Sequence, residues 1–453
     1  MKNTMNRRRM LVTLGGLSAS LLAGVMPARA DDEHEDEDEQ GSGTTATGPV
    51  PLPVTGINGK VVVIGGGMAG ATVAKYLRLW GGSGIDVTLI ERESVYTSNI
   101  LSNLVLNGNV AMTSLYFNYA RLASGYGVKV LQATVDAIQA GEKKVHYTHN
   151  GVPGEIAYDR LVVAPGIDFE FPPGLTTPDA QLAAPHAWKA GAQTLALRDQ
   201  LQAMPVGGTF LLSIPAAPYR CPPGPYERAC VVADWLKRKK PGSKVLVLDA
   251  NASIMAEKAT FTQAFNVTYK NIVTYIPNAA VTSVDVVSRS VYTTFGAAPF
   301  HGDVLNVIPP HRAGRIVTDA GLANDAAGRF AVVDVLSYES TAIKGIHVIG
   351  DAAATTQPKA GHIANQEAKI CADALVRMMA GLAPDPSPVT NSACYSPITA
   401  VSASFLTAVF KYDSASRTMV VVPGSSGEAN APSGDHYEDM FRWFDTLMQD
   451  SFA

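Results

Sequence analysis

The chain has 453 residues, 47% of them hydrophobic and 17% charged, with a formal net charge of −4. That length leaves room for two or three domains around a large buried core, so no metal or disulfide staple is needed for stability and any disulfide is free to be chemical. No basic stripe runs alongside aromatic platforms, which argues against nucleic acid as a partner, and no metal site is expected.

The first thirty residues, MKNTMNRRRMLVTLGGLSASLLAGVMPARA, hold five basic residues and no acid. The run Arg7, Arg8, Arg9, a moderately apolar stretch and an Ala-Arg-Ala ending at Ala30 read as a twin-arginine export signal over residues 1–30. A periplasmic protein is therefore expected, exported already folded around a tightly held prosthetic group. The apolar stretch is short and glycine-rich for a span of about 20 residues, and no other segment reads as transmembrane. Residues 31–58 follow as an acidic flexible linker, opening with eight acids in DDEHEDEDEQ; an arm for a basic partner is the sharper alternative.

From Lys60 the pattern turns α/β. KVVVIGGGMAGATVAKYLRLW is an apolar strand, a glycine turn and a helix, and IDVTLIERE is a second strand ending in an acid. Gly65, Gly67 and Gly70 fit G-x-G-x-x-G in that context, with Glu91 at the distance of a ribose-binding acid. Glycines there let backbone approach a pyrophosphate at a helix N-terminus, whose free N–H groups favour the anion. YDRLVVAPG, with Pro165 and Gly166, and STAIKGIHVIGDAA, with Gly350 and Asp351, resemble two further signatures of glutathione-reductase-like flavoproteins. That resemblance moves the expected dinucleotide from NAD to FAD, with the aspartate on its ribityl and phosphate portion. The span PKAGHIANQEAKICADAL, which includes Lys359, resembles the helix that faces the flavin pyrimidine ring.

The expected fold is α/β, with two Rossmann-like domains: an FAD-binding domain at 59–167 and 300–384, and a degenerate NAD-binding-like domain at 168–299. A C-terminal interface domain covers 385–453. In the second unit the loop that would cradle NADH reads SIPAAPYRCPPGPYE. Proline removes N–H donors and fixes φ, so this loop is poorly suited to hold a pyrophosphate. NADH binding is expected to be lost, and electrons must enter from another donor.

There are four cysteines, Cys221, Cys230, Cys371 and Cys394. They permit three full pairings, and spacing does not choose among them. Cys371 sits in EAKICADALVRMM at helical apolar intervals and reads as a small core residue.

PHAWKAG, RCPPGPYERA, VIPPHRAGRI, GIHVIGDA and NSACYS together resemble the flavoprotein subunit of flavocytochrome c sulfide dehydrogenase. The resemblance implies a redox-active disulfide between Cys221 and Cys394, with Cys394 nearer the flavin and Cys221 nearer the entry path. It also implies that Glu227 is a general acid or base, that sulfide is the substrate and that a separate c-type cytochrome subunit is the partner. The local alternative, Cys221 with Cys230, would close only a small proline-filled loop. With no C-x-x-C-H, no covalent c haem is expected in this chain. Members of the family often tether the flavin through a cysteine. Here VYTSNILSN places Asn99 at that position, so non-covalent FAD is expected.

Near the C-terminus Tyr437, Met440, Phe441, Phe444, Leu447 and Met448 recur at helical spacing. Packing over the flavin domain or a subunit is expected, ahead of a membrane-surface helix. Two rival functions remain: a membrane-surface sulfide:quinone oxidoreductase, and a non-catalytic FAD-containing accessory protein of a sulfur-oxidising complex.

Overall fold

Strand Gly59–Ile64 carries Val-Val-Val-Ile after Lys60, and residues 61–64 are all buried. Such a continuous β-branched run suits the centre of a parallel sheet covered on both faces. The structure is a computed structural model and describes residues 48–453. The export signal at 1–30 and the acidic run at 31–40 lie outside the described residues.

Among the described residues the largest sheet has eight strands. Its parallel centre runs, in spatial order, Ile346–Val348, Arg160–Val163, Gly59–Ile64, Ile85–Glu91 and Lys129–Gln132. Helices Met68–Gly81 and Gly361–Met379 pack against each other. Gly70 sets the closeness of the glycine turn: a Cβ there would lie 1.7 Å from the Gly65 carbonyl oxygen.

A second sheet of four parallel strands runs Val273–Ile276, Lys244–Asp249, Thr209–Ile214 and Val304–Val307. The last of these corrects the expected boundary. The chain leaves this sheet after residue 307 rather than at 299, because the apolar strand from Val304 completes it beside Thr209–Ile214. Strand His311–Ala313 then pairs antiparallel with Ile167–Phe169, joining the two passages between the sheets.

The third sheet is antiparallel, built on Val389–Thr399, Ser402–Asp413 and Thr418–Val421, with Gly427–Glu428 added beside Ser402–Asp413. Helix Gly434–Phe452 starts where the Ser433 hydroxyl accepts the His436 N–H, a normal N-cap. It buries Met440, Phe444, Leu447, Met448 and Phe452 and packs against Ser402–Asp413 and Met68–Gly81. Lys75 donates to the carbonyls of Gln449, Asp450 and Ala453, satisfying its last turn. The apolar stripe is therefore spent on the flavin domain, as expected. No described helix is long and apolar enough to cross a membrane.

The described part of the expected linker behaves otherwise. The Val50 N–H donates to the Gly125 carbonyl, Arg121 to the Gly48 carbonyl, and the Thr55 hydroxyl to the Gly81 carbonyl. Polar backbone in Gly-Pro-rich sequence is fastened by neighbours it meets only in the folded state, which composition could not reveal.

Candidate active site

A cavity of about 960 Å³ lies outside the carboxyl ends of the central parallel strands, where open α/β sheets place their ligands. One end is built by the glycine turn. Gly65 takes φ +94, closed to most L side chains, and Gly67, Met68 and Ala69 present the N-terminus of helix Met68–Gly81 to the cavity. Glu91 completes this end, accepting the Gly66 N–H at 2.6 Å and the Glu93 N–H at 3.0 Å.

Pro165, Gly166, Gly350, Asp351 and Asn99 line the middle. Asp351 carries the observation that tests the fit: its Oδ1 is buried with no hydrogen-bond partner among the described residues. A buried carboxylate oxygen left so is costly unless a ligand donates to it, as the hydroxyls of a ribityl chain would. Arg220 braces the same wall, with Nη1 3.8 Å from Asp351 and Nη2 3.2 Å from Asn99 Oδ1. Ala360, Gly361 and His362 bring a second helix N-terminus to the cavity. Two helix N-termini and a partnerless aspartate oxygen in one cavity fit FAD, whose pyrophosphate the first helix would hold and whose ring the second would face.

Two expected cofactor residues are placed elsewhere. Gly70 does not line the cavity and serves helix-to-strand packing. Lys359 turns away: its Nζ donates to the carbonyls of Asp351 and Ala353 and lies 3.9 Å from the centre of the Phe330 ring. Buried carbonyls and an aromatic face satisfy the cation locally. Lys359 instead serves the site through its backbone, whose carbonyl accepts the Cys221 N–H at 2.7 Å.

Cys221 and Cys394 stand on the far wall together with Glu227. All four cysteines are unbridged. Cys230 and Cys371 are fully buried in helices and absent from the cavity, so the structure gives the local Cys221–Cys230 alternative no support. Cys221 adopts φ +58 just before helix Gly224–Lys239, and the Gly224 N–H donates to its carbonyl. A Cβ on Gly224 would lie 2.8 Å from the Cys221 sulfur and 3.0 Å from the Trp188 ring. Gly224→Ala is therefore expected to displace the sulfur and lower turnover by about 10²-fold, the order lost to a misplacement of about 1 Å. Steady-state rates at saturating donor, with cofactor content measured in parallel, check this.

Burial pushes the Cys394 thiol up to about 12, with help from Glu257 and Glu227. Cys221 is raised well above the ordinary range by burial, then by Cys394 and Glu227, against a small opposing effect of Arg220. The two sulfurs are close enough to feel each other's charge. Burial likewise holds Glu227 up at about 8, although the Asn103 amide donates to its Oε1 at 2.9 Å and Arg228 lies nearby. Asn103 also accepts from Arg228, so one amide fixes both charged groups. Lys189, Arg220 and Arg228 line the same region, each with a carboxyl beside it: Asp168 at 3.5 Å from Lys189, Asp351 at 3.8 Å from Arg220, and Glu227 near Arg228. Arg220, Asn103, Trp188 and Lys189 lay inside quoted motifs without an assigned role. Glu257 gave no sequence signal at all.

The second sheet shows what became of a nicotinamide site. Asp249 ends the second strand of that unit, where a ribose-binding acid belongs. It is fully buried and accepts from the Tyr226 and Tyr275 hydroxyls at 2.7 and 2.8 Å and from Asn251. The Asp249 carboxylate is thus already taken up by hydrogen bonds within the protein, beside a loop built of prolines.

Comparisons with known proteins agree with this geometry. Residues 194–309 match the model of the central domain of the sulfide dehydrogenase [flavocytochrome c] flavoprotein chain, and residues 386–452 match the flavocytochrome c sulphide dehydrogenase flavin-binding domain. A probable ferredoxin reductase, CtmF, of Castellaniella defragrans is 34% identical over 132 residues, 28% of this chain and 31% of that protein; the match thus spans under a third of the curated relative. The sulfide:quinone oxidoreductase of Aquifex aeolicus superposes with a TM-score of 0.70 at 17% identity, covering 86% of this chain and 92% of that one. An NAD-dependent persulfide reductase from A. fulgidus gives 0.58 at 17% identity, covering 87% and 77%. These superpositions show the shared two-domain flavoprotein fold. The chain binds FAD, and its central and flavin-binding segments are similar to those of the flavoprotein chain of flavocytochrome c sulfide dehydrogenase.

Proposed function

We propose that this protein oxidises sulfide to zero-valent or polysulfide sulfur through a Cys221–Cys394 disulfide and passes the electrons to a c-type cytochrome subunit. The observation that carries the reading is the meeting of Cys221, Cys394 and Glu227 on the cavity wall served by the second helix N-terminus. Hydrosulfide attacks one sulfur. The S–S bond breaks, a persulfide S–S bond forms, and the other cysteine leaves as a thiolate. Glu227 is the weaker base of the two, so its proton moves to that thiolate. A second hydrosulfide then takes the outer sulfur away as a hydrodisulfide anion, leaving two reduced cysteines. Bound FAD supplies the two-electron oxidant that restores the disulfide and can release electrons singly, as a haem requires.

The spent Asp249 and the proline loop support a donor other than NADH. The export signal supports a periplasmic setting, where such a cytochrome would be met. Anaerobic assays of sulfide-dependent reduction of cytochrome c and of a soluble quinone test the acceptor. Reduction of the cytochrome alone supports the proposal, and reduction of the quinone alone assigns the chain to the membrane-surface alternative. Because Asn99 offers no thiol, acid precipitation is expected to leave the flavin in the supernatant, with less than about a tenth retained on the pellet; a yellow pellet would show a covalent link formed elsewhere.

A further inference from the structure

Near Cys394, but outside the cavity lining, lies a carboxyl with no assigned role. Glu257 ends the loop that follows strand Lys244–Asp249 and holds φ +48 immediately before helix Lys258–Gln263. It is 1% exposed. Its Oε2 accepts from the Ser396 hydroxyl, whereas its Oε1 has no partner among the described residues. Ser396 is two residues beyond Cys394 on an extended strand, so both side chains leave the same face. Ser404, directly opposite Ser396 on the neighbouring strand, is also fully buried and faces the same carboxyl.

Helix Gly224–Lys239, which contributes Glu227 and Cys230, packs against strand Val389–Thr399. Cys394 thus feels two carboxyls, Glu227 on the cavity wall and Glu257 outside the cavity lining. We propose that Glu257 is a positioning residue for the redox cysteine pair: through its charge it sets the acidity at which Cys394 gives up its proton. Two anions this close in an apolar setting oppose each other, so the thiol and the carboxyl titrate as a coupled pair. Burial holds the Glu257 proton more tightly than in an ordinary carboxyl, and of the surrounding charges Glu257 opposes ionisation of Cys394 the most.

The groups facing the pair are few. Cys394 meets Glu257 from the loop, Glu227 from the helix, Cys221 from the proline segment and Ser392 from its own strand. His362 reaches the same strand by accepting the Ala393 N–H, and burial keeps its ring neutral. Glu257 meets Ser396, Ser404 and the exposed Glu428, and it also acts on the buried Cys230.

The inference rests on Cys394 being a redox cysteine of the proposed reaction, and its test reads the two apart. In the FAD-loaded protein carrying Cys221→Ser, Cys394 cannot bridge to Cys221. Its alkylation by iodoacetamide is followed across pH by mass spectrometry of the Cys394 peptide. Adding Glu257→Gln is expected to lower the midpoint of the alkylation profile by about one pH unit, roughly a tenfold faster reaction below it. Ser396→Ala keeps the carboxyl but removes a donor to its ionised form, so the carboxyl stays protonated to higher pH and the midpoint also falls, by less. An unmoved midpoint, or a rate changed by one factor at every pH in both variants, would mean that Glu257 only holds the strand, and the inference fails. Separately, wild-type protein whose Cys221 and Cys394 are fully alkylated without reductant removes the disulfide reading while leaving the Glu257 result to stand.

Discussion

Cys394→Ser is expected to abolish bleaching of the flavin band by sulfide, slowing it by roughly 10³-fold or more, the order lost when a covalent nucleophile is removed. The substitution replaces one sulfur by one oxygen at a half-buried strand position, so cofactor binding and fold are expected to survive. Cys230→Ser is the control: that thiol lies in the helix core, away from the cavity, and its loss should leave sulfide-dependent bleaching near the wild-type rate. Stopped-flow absorbance under argon distinguishes the two. A Cys394→Ser protein that still supports a sulfur-oxidising partner complex, without being reduced by sulfide, would favour the accessory role.

Glu227→Gln is expected to remove a proton donor. With the carboxyl held up at about 8 by burial, Glu227 is protonated at neutral pH and can serve the departing thiolate; above pH 8 it is an anion facing two sulfurs. The amide can do neither, so a loss of about 10²- to 10⁴-fold is expected near pH 7. The limb of the pH–rate profile near 8 should also vanish. Stability gives an independent reading with a definite sign. A carboxyl raised from its ordinary value of 4.5 to about 8 stays protonated in the folded state where the unfolded chain has already ionised. Its contribution to stability is full below pH 4.5 and is lost as pH rises to 8, at no more than about 1.4 kcal/mol per pH unit. The glutamine variant should therefore gain on the wild type in denaturant melts at pH 8.5 relative to pH 5. Glu257 and Glu367 are raised by burial as well, so the wild type keeps part of its slope and only the difference between the proteins reports Glu227.

How much of this was legible beforehand depends on how local each signal was. The FAD-binding turn is written in a contiguous stretch, because strand, glycines, helix and ribose acid all fall between Lys60 and Glu91. Asp351 was readable for the same reason, sitting at the end of its own strand. Lys359 was misread because its motif fixes the backbone course but not the side chain, which found carbonyls and a ring closer than the cavity. The boundary drawn between 299 and 300 cut the strand Val304–Val307 off from its sheet, since a short buried run carries no mark of its partner. Glu257 was beyond reach: its contact with Ser396 joins residues 139 apart, and nothing near position 257 announces a site. Asp249 was equally silent, because its acid stands where a nicotinamide unit would place it and only two tyrosines and an asparagine show that it is already occupied.

The most direct measurement is an anaerobic titration of the purified protein, followed by its visible spectrum, with sulfide and then with NADH. Stoichiometric bleaching by sulfide and none by NADH is the expected result, since the cysteine pair stands in the cavity and Asp249 is closed. Bleaching by NADH with no response to sulfide would contradict the account and place this chain among the pyridine-nucleotide reductases.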